Sequence, residues 1–383
     1  MRRQATVLDI GSSKVTVFIG ERGVNQTFVV KAFSELPYDG FYEGEFLNIT
    51  SLADAVGNAL KSATESTRTA IDTLYVGVPG EFVQVETVEH KISFPRRKKI
   101  RATDVDDLFD RAFRAEESAG YSVINRSGIY FVLDDNRRVA EPEGEVSDRL
   151  GGMLSYMLAS RYFTDVVGEI LRENGVKNVE YVSSSLATSL FLFLPEVRDR
   201  IAVLADIGYI SSTLSVVCGD GIVYQTAFSF GGGHLAALLS EEFQIDFGVA
   251  EKLCSVVNLS CSPTENDTYQ LYLDDGEFVF PKQRVNECVR RGLDEICEKL
   301  SDGLDGCTVV LPEYIPVSLT GGGISYMRGA KEYVSTRINR VVEVVRPSLP
   351  HLNKPTLSSG LGLLDLALGQ APVKQNFFKK IFG

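Results

Sequence analysis

Apolar residues fill Ala5-Thr6-Val7-Leu8, break at Asp9-Ile10-Gly11, and resume through Val15-Thr16-Val17-Phe18-Ile19. A glycine-containing turn and Thr27-Phe28-Val29-Val30 follow. Runs this rich in β-branched residues predict central strands, with Gly and Asp supplying the turns. The same plan returns at 201–228, where Ile201-Ala202-Val203-Leu204-Ala205 leads into Asp206-Ile207-Gly208. Leu214-Ser215-Val216-Val217, the turn Gly219-Asp220-Gly221 and Ile222-Val223-Tyr224 complete it. A single Asp-x-Gly is usually only a turn. Two, each inside the same three-strand plan, predict two similar α/β domains.

Three- and four-residue apolar spacing after each meander predicts helices over Leu52–Leu60 and His234–Phe243. Leu74–Val78 reads as a strand ending at Pro79-Gly80. The texture then changes until about Gly152, becoming charged, with the basic run Arg96-Arg97-Lys98-Lys99-Ile100-Arg101 read as a solvated loop. Within that stretch Thr103 is expected to cap a helix with the apolar stripe Val105, Leu108, Phe109, Ala112 and Phe113. Helix Thr164–Asn174, strand Val179–Val182 and a crossover helix Ser184–Leu192 should lead into the second domain. A second insertion is expected between about Asp246 and Tyr314, helical over Val249–Val257 and Val285–Leu300 with a polar stretch between. Strand Pro316–Leu319, helix Ser325–Thr336 and a last core element Ser359–Ala367 close the chain's folded part.

The 383 residues, 44% hydrophobic, suffice for two or more cores. Asp and Glu outnumber Lys and Arg by 51 to 39, giving a net charge of −12, which argues against general nucleic-acid binding. No run approaches the roughly 20 apolar residues of a bilayer span, and the start of the chain lacks a signal-peptide pattern. The six cysteines, all after position 217, form no CxxC pair, and the three histidines are far apart. A zinc site is not expected, and reduced thiols in a cytosolic protein are.

Two Asp-x-Gly hairpins facing each other make a phosphate clamp. Gly11, Ser12, Ser13 and Lys14 offer backbone N–H groups, hydroxyls and one ammonium. Asp9 and Asp206 would face each other and hold hydrated magnesium. Gly321-Gly322-Gly323, between a strand and a helix, permits close approach of a base or phosphate. Glu251 and Lys252 could reach ribose hydroxyls, and Gly231-Gly232-Gly233 is either a flexible connector or part of the same site. There is no GxxxxGK[ST] loop, and Gly360-Leu361-Gly362 lacks the rest of a dinucleotide fingerprint, so close helix packing is its expected role.

On these residues the chain resembles the actin/Hsp70/sugar-kinase superfamily, and within it the FtsA group of bacterial division proteins. Asp9 to Val15 is similar to the first phosphate motif and Asp206 to Val216 (with Gly208, Tyr209 and Ser211) to the second. Ser183 to Ser189 matches the first connecting helix, Gly232 to Lys252 the ribose-contacting stretch, and Leu319 to Ile324 the adenosine motif. The resemblance implies an actin-like, ribonuclease H-like α/β fold, with two duplicated domains around a cleft for ATP and magnesium. It implies a first domain at 1–79 plus 153–190 with an α+β insertion at 80–152. The second domain is expected at 191–245 plus 315–370 with an insertion at 246–314, followed by a tail at 371–383.

One departure bears on chemistry. Tyr209 and Ile210 stand where FtsA relatives carry glycines, and Ser183 to Ser189 offers no acid or glutamine to orient water. Weak or absent ATPase activity is therefore expected. In the tail, Phe377, Phe378, Ile381 and Phe382 share a helical face flanked by Lys379 and Lys380, an interfacial membrane-binding pattern. The resemblance implies a filament of this chain on the cytoplasmic face of the membrane at the septum. Its implied partners are anionic lipid, the C-terminal peptide of the tubulin-like protein FtsZ and later division proteins. A pilus-assembly relative and a small-molecule kinase of the same superfamily are the competing expectations.

Overall fold

The computed structural model describes residues 4–23, 28–67, 71, 73–113, 119–274 and 276–370. The expected tail residues Phe377, Phe378, Lys379, Lys380, Ile381 and Phe382 lie outside the described residues.

The first lobe opens with β1 (Gln4–Ile10), β2 (Lys14–Arg22) and β3 (Phe28–Pro37), then a small hairpin of β4 (Phe41–Tyr42) and β5 (Glu45–Phe46). Helix α1 (Ile49–Thr67) buries Leu52, Ala55, Val56, Ala59, Leu60 and Ala63, the single stripe that three- and four-residue spacing produces, and β6 (Leu74–Val78) follows. An insertion comprises β7 (Val83–Lys99), α2 (Ala102–Ala112), β8 (Tyr121–Val132), β9 (Arg138–Val139) and β10 (Val146–Ser160). Helix α3 (Arg161–Glu173), β11 (Val179–Ser183), α4 (Ser184–Leu192) and the short α5 (Pro195–Arg198) lead to the second lobe.

That lobe begins with β12 (Ala202–Ile207), β13 (Ser212–Cys218), β14 (Gly221–Phe228), α6 (Gly232–Phe243) and α7 (Phe247–Val256). Then come β15 (Thr268–Leu273), β16 (Gly276–Pro281), α8 (Lys282–Asp305), β17 (Val317–Thr320), α9 (Ala330–Arg337) and β18 (Val342–Val344). The last described element is α10 (Ser358–Gln370).

The duplication is visible in strand order. One sheet runs β3-β2-β1-β6-β11 and the other β14-β13-β12-β17-β18. In both, the first three strands pair antiparallel and the later two join in parallel. Both lobes thus follow the expected ribonuclease H-like plan. Side chains on β1 and β2 are buried on both faces: Leu8, Val17 and Ile19 join one core with α1 and α3, while Val7 and Phe18 join another with α10. That explains why these strands lack polar alternation.

Four local expectations change. The basic run is strand, not loop: Arg96 to Lys99 lie on β7, where Lys98 pairs with Asp104 at 2.5 Å and Arg97 with Asp134 at 3.0 Å. Helix α2 starts earlier than Thr103, because Asp104 reaches back to the Arg101 N–H at 3.0 Å and makes Arg101 the capping position. The insertion does not end at 152, since β10 runs unbroken to Ser160. Helix α9 does not begin at Ser325 but after Gly329, whose φ of +81° and contact with Leu259 and Ser260 keep 325–329 out of the helix. The polar stretch between α7 and α8 contains the β15–β16 hairpin.

A larger correction concerns α10. The resemblance implies that 315–370 belongs to the second domain, yet α10 packs on the first sheet, burying Leu361, Leu363, Leu364, Ala367 and Leu368 against Val7, Phe18, Tyr75 and Ala187. Arg22 and Asp365 pair at 2.8 Å across the same contact. A Cβ on Gly360 would lie 2.3 Å from the Phe18 ring, and one on Gly362 would lie 2.7 Å from the Ala187 carbonyl oxygen. The two glycines thus serve close helix packing, as their lack of a dinucleotide fingerprint implied. Among the described residues no helix is long and apolar enough to cross a membrane.

Gly362→Ala should destabilise the chain by about 1–3 kcal/mol, the usual cost of overpacking, although alanine favours an isolated helix by about 1 kcal/mol. A chemical-denaturation midpoint no lower than wild type would show that α10 and α4 have room to separate.

Candidate functional site

Each lobe presents its aspartate in the same way. On β1, Asp9 pairs with Thr16 of β2 and Gly77 of β6; on β12, Asp206 pairs with Thr213 of β13 and Thr320 of β17. The turn after each aspartate closes through an equivalent bond: Gly11 N–H donates to Lys14 C=O at 2.9 Å, and Gly208 N–H to Ser211 C=O at 3.2 Å. The hairpins face one cleft of about 320 Å³.

Of the candidate residues, Asp9, Gly11, Ser12, Ser13, Lys14, Asp206, Gly208, Tyr209, Ser211, Gly321 and Gly322 line that cleft. The loops meet across it. Ser12 Oγ accepts the N–H groups of Ile210 at 3.0 Å and Ser211 at 3.2 Å. Donors of the second loop therefore converge on one oxygen of the first, the geometry a phosphate oxygen would also satisfy. Lys14 lines the cleft but its ammonium is paired with Glu35 at 2.6 Å.

Gly231, Gly232, Gly233, Glu251, Lys252, Gly323 and Ile324 are not on the lining. Ile324 is in the second-lobe core. The N–H groups of Gly232 and Gly233 donate to the carbonyls of Gly208 and Tyr209 at 2.9 and 2.8 Å, and Gly323 N–H donates to Ile207 C=O at 2.8 Å. A Cβ on Gly231 or Gly323 would lie 2.4 Å from Gly208 O, and one on Gly232 would lie 2.6 Å from Gly323 Cα. These glycines let three loops stack on one another; the Gly232, Gly233 and Gly323 donors are taken up in doing so, and the Gly231 N–H donates to His234 Nδ1 at 3.1 Å. Glu251 accepts a hydrogen bond from the Tyr209 hydroxyl, and Lys252 is exposed.

Several cleft residues escaped the sequence reading. Ser359 Oγ donates to Asp9 Oδ1 at 2.8 Å, and Thr16, Thr213 and Thr356 also line the cleft, beside Ser184 and Ser185 of the stretch matched to the connecting helix. Ser184, at the start of α4, has a buried Oγ with no hydrogen-bond partner. Small hydroxyl residues carry no motif of their own. Only the register of the two Thr positions, seven residues after each aspartate, could have shown Thr16 and Thr213.

Both aspartates are driven toward the protonated form. Burial pushes Asp9 up to about 6 against the opposing effects of the Ser359 hydrogen bond and the Lys14 charge. Asp206 rises to about 7 through burial and then the negative charge of Asp9. Two raised carboxylates beside one another are a pair that a hydrated divalent cation would relieve. Asp9 and Asp206 would hold it through water.

No family model matches the chain. Its sequence is similar to proteins named Cell division protein FtsA. That of Pseudomonas aeruginosa is 21% identical over 373 residues, covering 94% of this chain and 88% of the relative. That of Streptococcus pneumoniae is 22% identical over 367 residues, covering 94% and 79%. Among solved structures, the PilM–PilN type IV pilus biogenesis complex matches with TM-score 0.65 at 19% identity, covering 95% of this chain and 98% of that one. MreB5 of Spiroplasma citri bound to ADP matches with TM-score 0.55 at 10% identity, covering 96% and 98%. The MamK double helical filament matches with TM-score 0.53 at 13% identity, covering 97% and 100%. The fold is actin-like, and the similarity to FtsA runs along nearly the whole chain.

The raised aspartates fix a sign for pH dependence. A carboxyl with a raised folded-state pKa contributes stability at low pH that is lost as pH rises through that value. Without divalent cations, the melting temperature should fall from about pH 5 to about pH 7.5, and Asp206→Asn should flatten that slope. An unchanged slope in the variant would remove the carboxylate repulsion from this account.

Proposed function

On a chain with the actin-like fold and similarity to FtsA over 94% of its length, we propose an ATP-binding cell-division scaffold that polymerises and ties the FtsZ ring to the cytoplasmic membrane. The observation that carries the nucleotide part is the pair of equivalent hairpins, which bring Asp9, Asp206 and the converging Ile210 and Ser211 N–H groups to one cleft. ATP with magnesium fits this chemistry: the phosphates replace Ser12 Oγ as acceptor, and the cation relieves the two carboxylates. Magnesium would supply charge neutralisation of the phosphates. Hydrolysis is expected to be weak, since α4 offers the cleft Ser184 and Ser185 rather than an acid or amide to orient water.

The membrane part rests on residues 371–383. Burying one large apolar side chain yields about 1.5–3 kcal/mol, so partial insertion of Phe377, Phe378, Ile381 and Phe382, less the cost of ordering a helix, gives reversible attachment. Lys379 and Lys380 add attraction to anionic lipid. Filament formation converts many weak tails into stable attachment through effective concentration. The FtsZ C-terminal peptide is assigned to the region 246–314, and later division proteins are further partners.

A small-molecule kinase needs a further carboxylate near the transferred phosphate, and Asp9 and Asp206 are the acids on the lining among the described residues. The second reading, a pilus-assembly scaffold, draws on the fold likeness to the PilM–PilN complex and predicts binding to protein rather than lipid.

By calorimetry with ATP and magnesium, Asp9→Ala and Gly322→Glu should each abolish binding. The first removes a carboxylate, and the second drives a side chain into Thr356, 2.8 Å from where a Cβ would sit. Undiminished affinity in both would refute the cleft. Anionic vesicles should pellet the intact chain and not one ending at Gly369. Equal pelleting of the two would sink the membrane tether.

A further inference from the structure

Tyr209 lines the cleft, whereas Glu251, bonded to the tip of the phenol, does not. The Tyr209 hydroxyl donates to Glu251 Oε1, so the acid on α7 already has the partner that a ribose hydroxyl would become. The ring lies against the first turn of α6: a Cβ on Gly233 would fall 2.8–3.0 Å from three ring atoms. Its backbone is fixed as well, since the Tyr209 carbonyl accepts the Gly233 N–H at 2.8 Å. Burial and the neighbouring Glu251 charge push the phenol well above its ordinary range, which keeps it a donor at any ordinary pH.

The phosphate half of the site lines the cleft by contrast, its Ile210 and Ser211 N–H groups held by Ser12 Oγ. Gly11, Ser12, Ser13, Lys14, Asp206 and Ser211 all face the cleft. The two halves that the motifs lay out along the chain are therefore separated by one side chain.

We infer that Tyr209 sets which part of a nucleotide this protein recognises: its phenol holds Glu251 Oε1 from the cleft side, so a ribose meets that acid only by displacing the phenol, whereas a magnesium-bound polyphosphate need only replace Ser12 Oγ. The inference rests on the nucleotide reading of the cleft and deepens it. Recognition is dominated by the phosphate chain, and base and sugar add little until the ring swings away. Tyr209 is a specificity-determining residue acting by competition, not a ligand to the phosphates.

Inorganic tripolyphosphate and ATP, each with magnesium, separate the two halves by calorimetry. Wild type should bind them with similar affinity. Tyr209→Ala should bind ATP about tenfold more tightly, the scale of releasing one hydrogen bond to a charged group, and tripolyphosphate within about twofold of wild type. Adding Glu251→Ala to Tyr209→Ala should erase the ATP gain. Tyr209→Phe, which keeps the ring and frees the acid, should gain less than Tyr209→Ala and controls for disturbance of the loop. If Tyr209→Ala binds ATP no better, or gains equally for both ligands, the competition is refuted while the cleft stands, provided Asp9→Ala still abolishes binding. If wild type and every variant bind neither ligand, the nucleotide reading falls, and this inference with it.

Discussion

Asp9 and Asp206 end the first strand of each sheet, and each is flanked by hydrogen-bonded strands on both sides. Sheet registry fixes both backbones beside one cleft, where burial raises both carboxyls. The arrangement is uneven. Asp9 is eased by the Ser359 hydroxyl and the Lys14 charge, whereas Asp206 is pushed up by burial and by Asp9 itself. Lys14 eases the cleft only in part, its ammonium being paired with Glu35. On the proposed reading, a hydrated divalent cation would supply the missing charge without moving a strand.

Around that pair, the second lobe is organised by backbone contact. Gly208, Gly232 and Gly323 lie so close that a Cβ on Gly232 or Gly323 would strike a neighbouring loop. The loop carrying the second aspartate, the start of α6 and the end of β17 consequently pack backbone to backbone. Among them the Tyr209 ring lies against Gly233 and its phenol reaches Glu251. The departure from glycine in this motif thus acts on the shape of the site, through the acid on α7, as well as on the freedom of the loop.

The lobes are joined by more than the cleft. Gln225 of β14 donates to the carbonyls of Gly80 and Val83 at 3.3 Å, and Ser155 of the insertion donates to Ile222 C=O at 2.6 Å. Helix α10 returns from the second lobe to the first sheet and lends Ser359 to Asp9. The helix that touches the cleft also leads directly to the segment 371–383.

Periodicity and repeated turn chemistry were enough to place most strands, the duplicated α/β plan and the aspartate-bearing turns, because buried β-branched runs and Asp-x-Gly turns depend on neighbours close in sequence. The crossover helix Ser184–Leu192 was readable to the residue for the same reason. Contacts between distant segments were not readable. Whether α10 belonged to the second lobe or the first depended on which sheet offered Gly360 and Gly362 a surface within reach, and that is a property of packing. The roles of Gly231 to Gly233 and of Glu251 were likewise decided only in three dimensions. Their donors and acceptors, free in a linear motif, are claimed by His234, Gly208, Tyr209 and the Tyr209 hydroxyl in the folded chain. Local pattern determines which groups can bind a phosphate; competition among folded neighbours decides which of them remain available to do so.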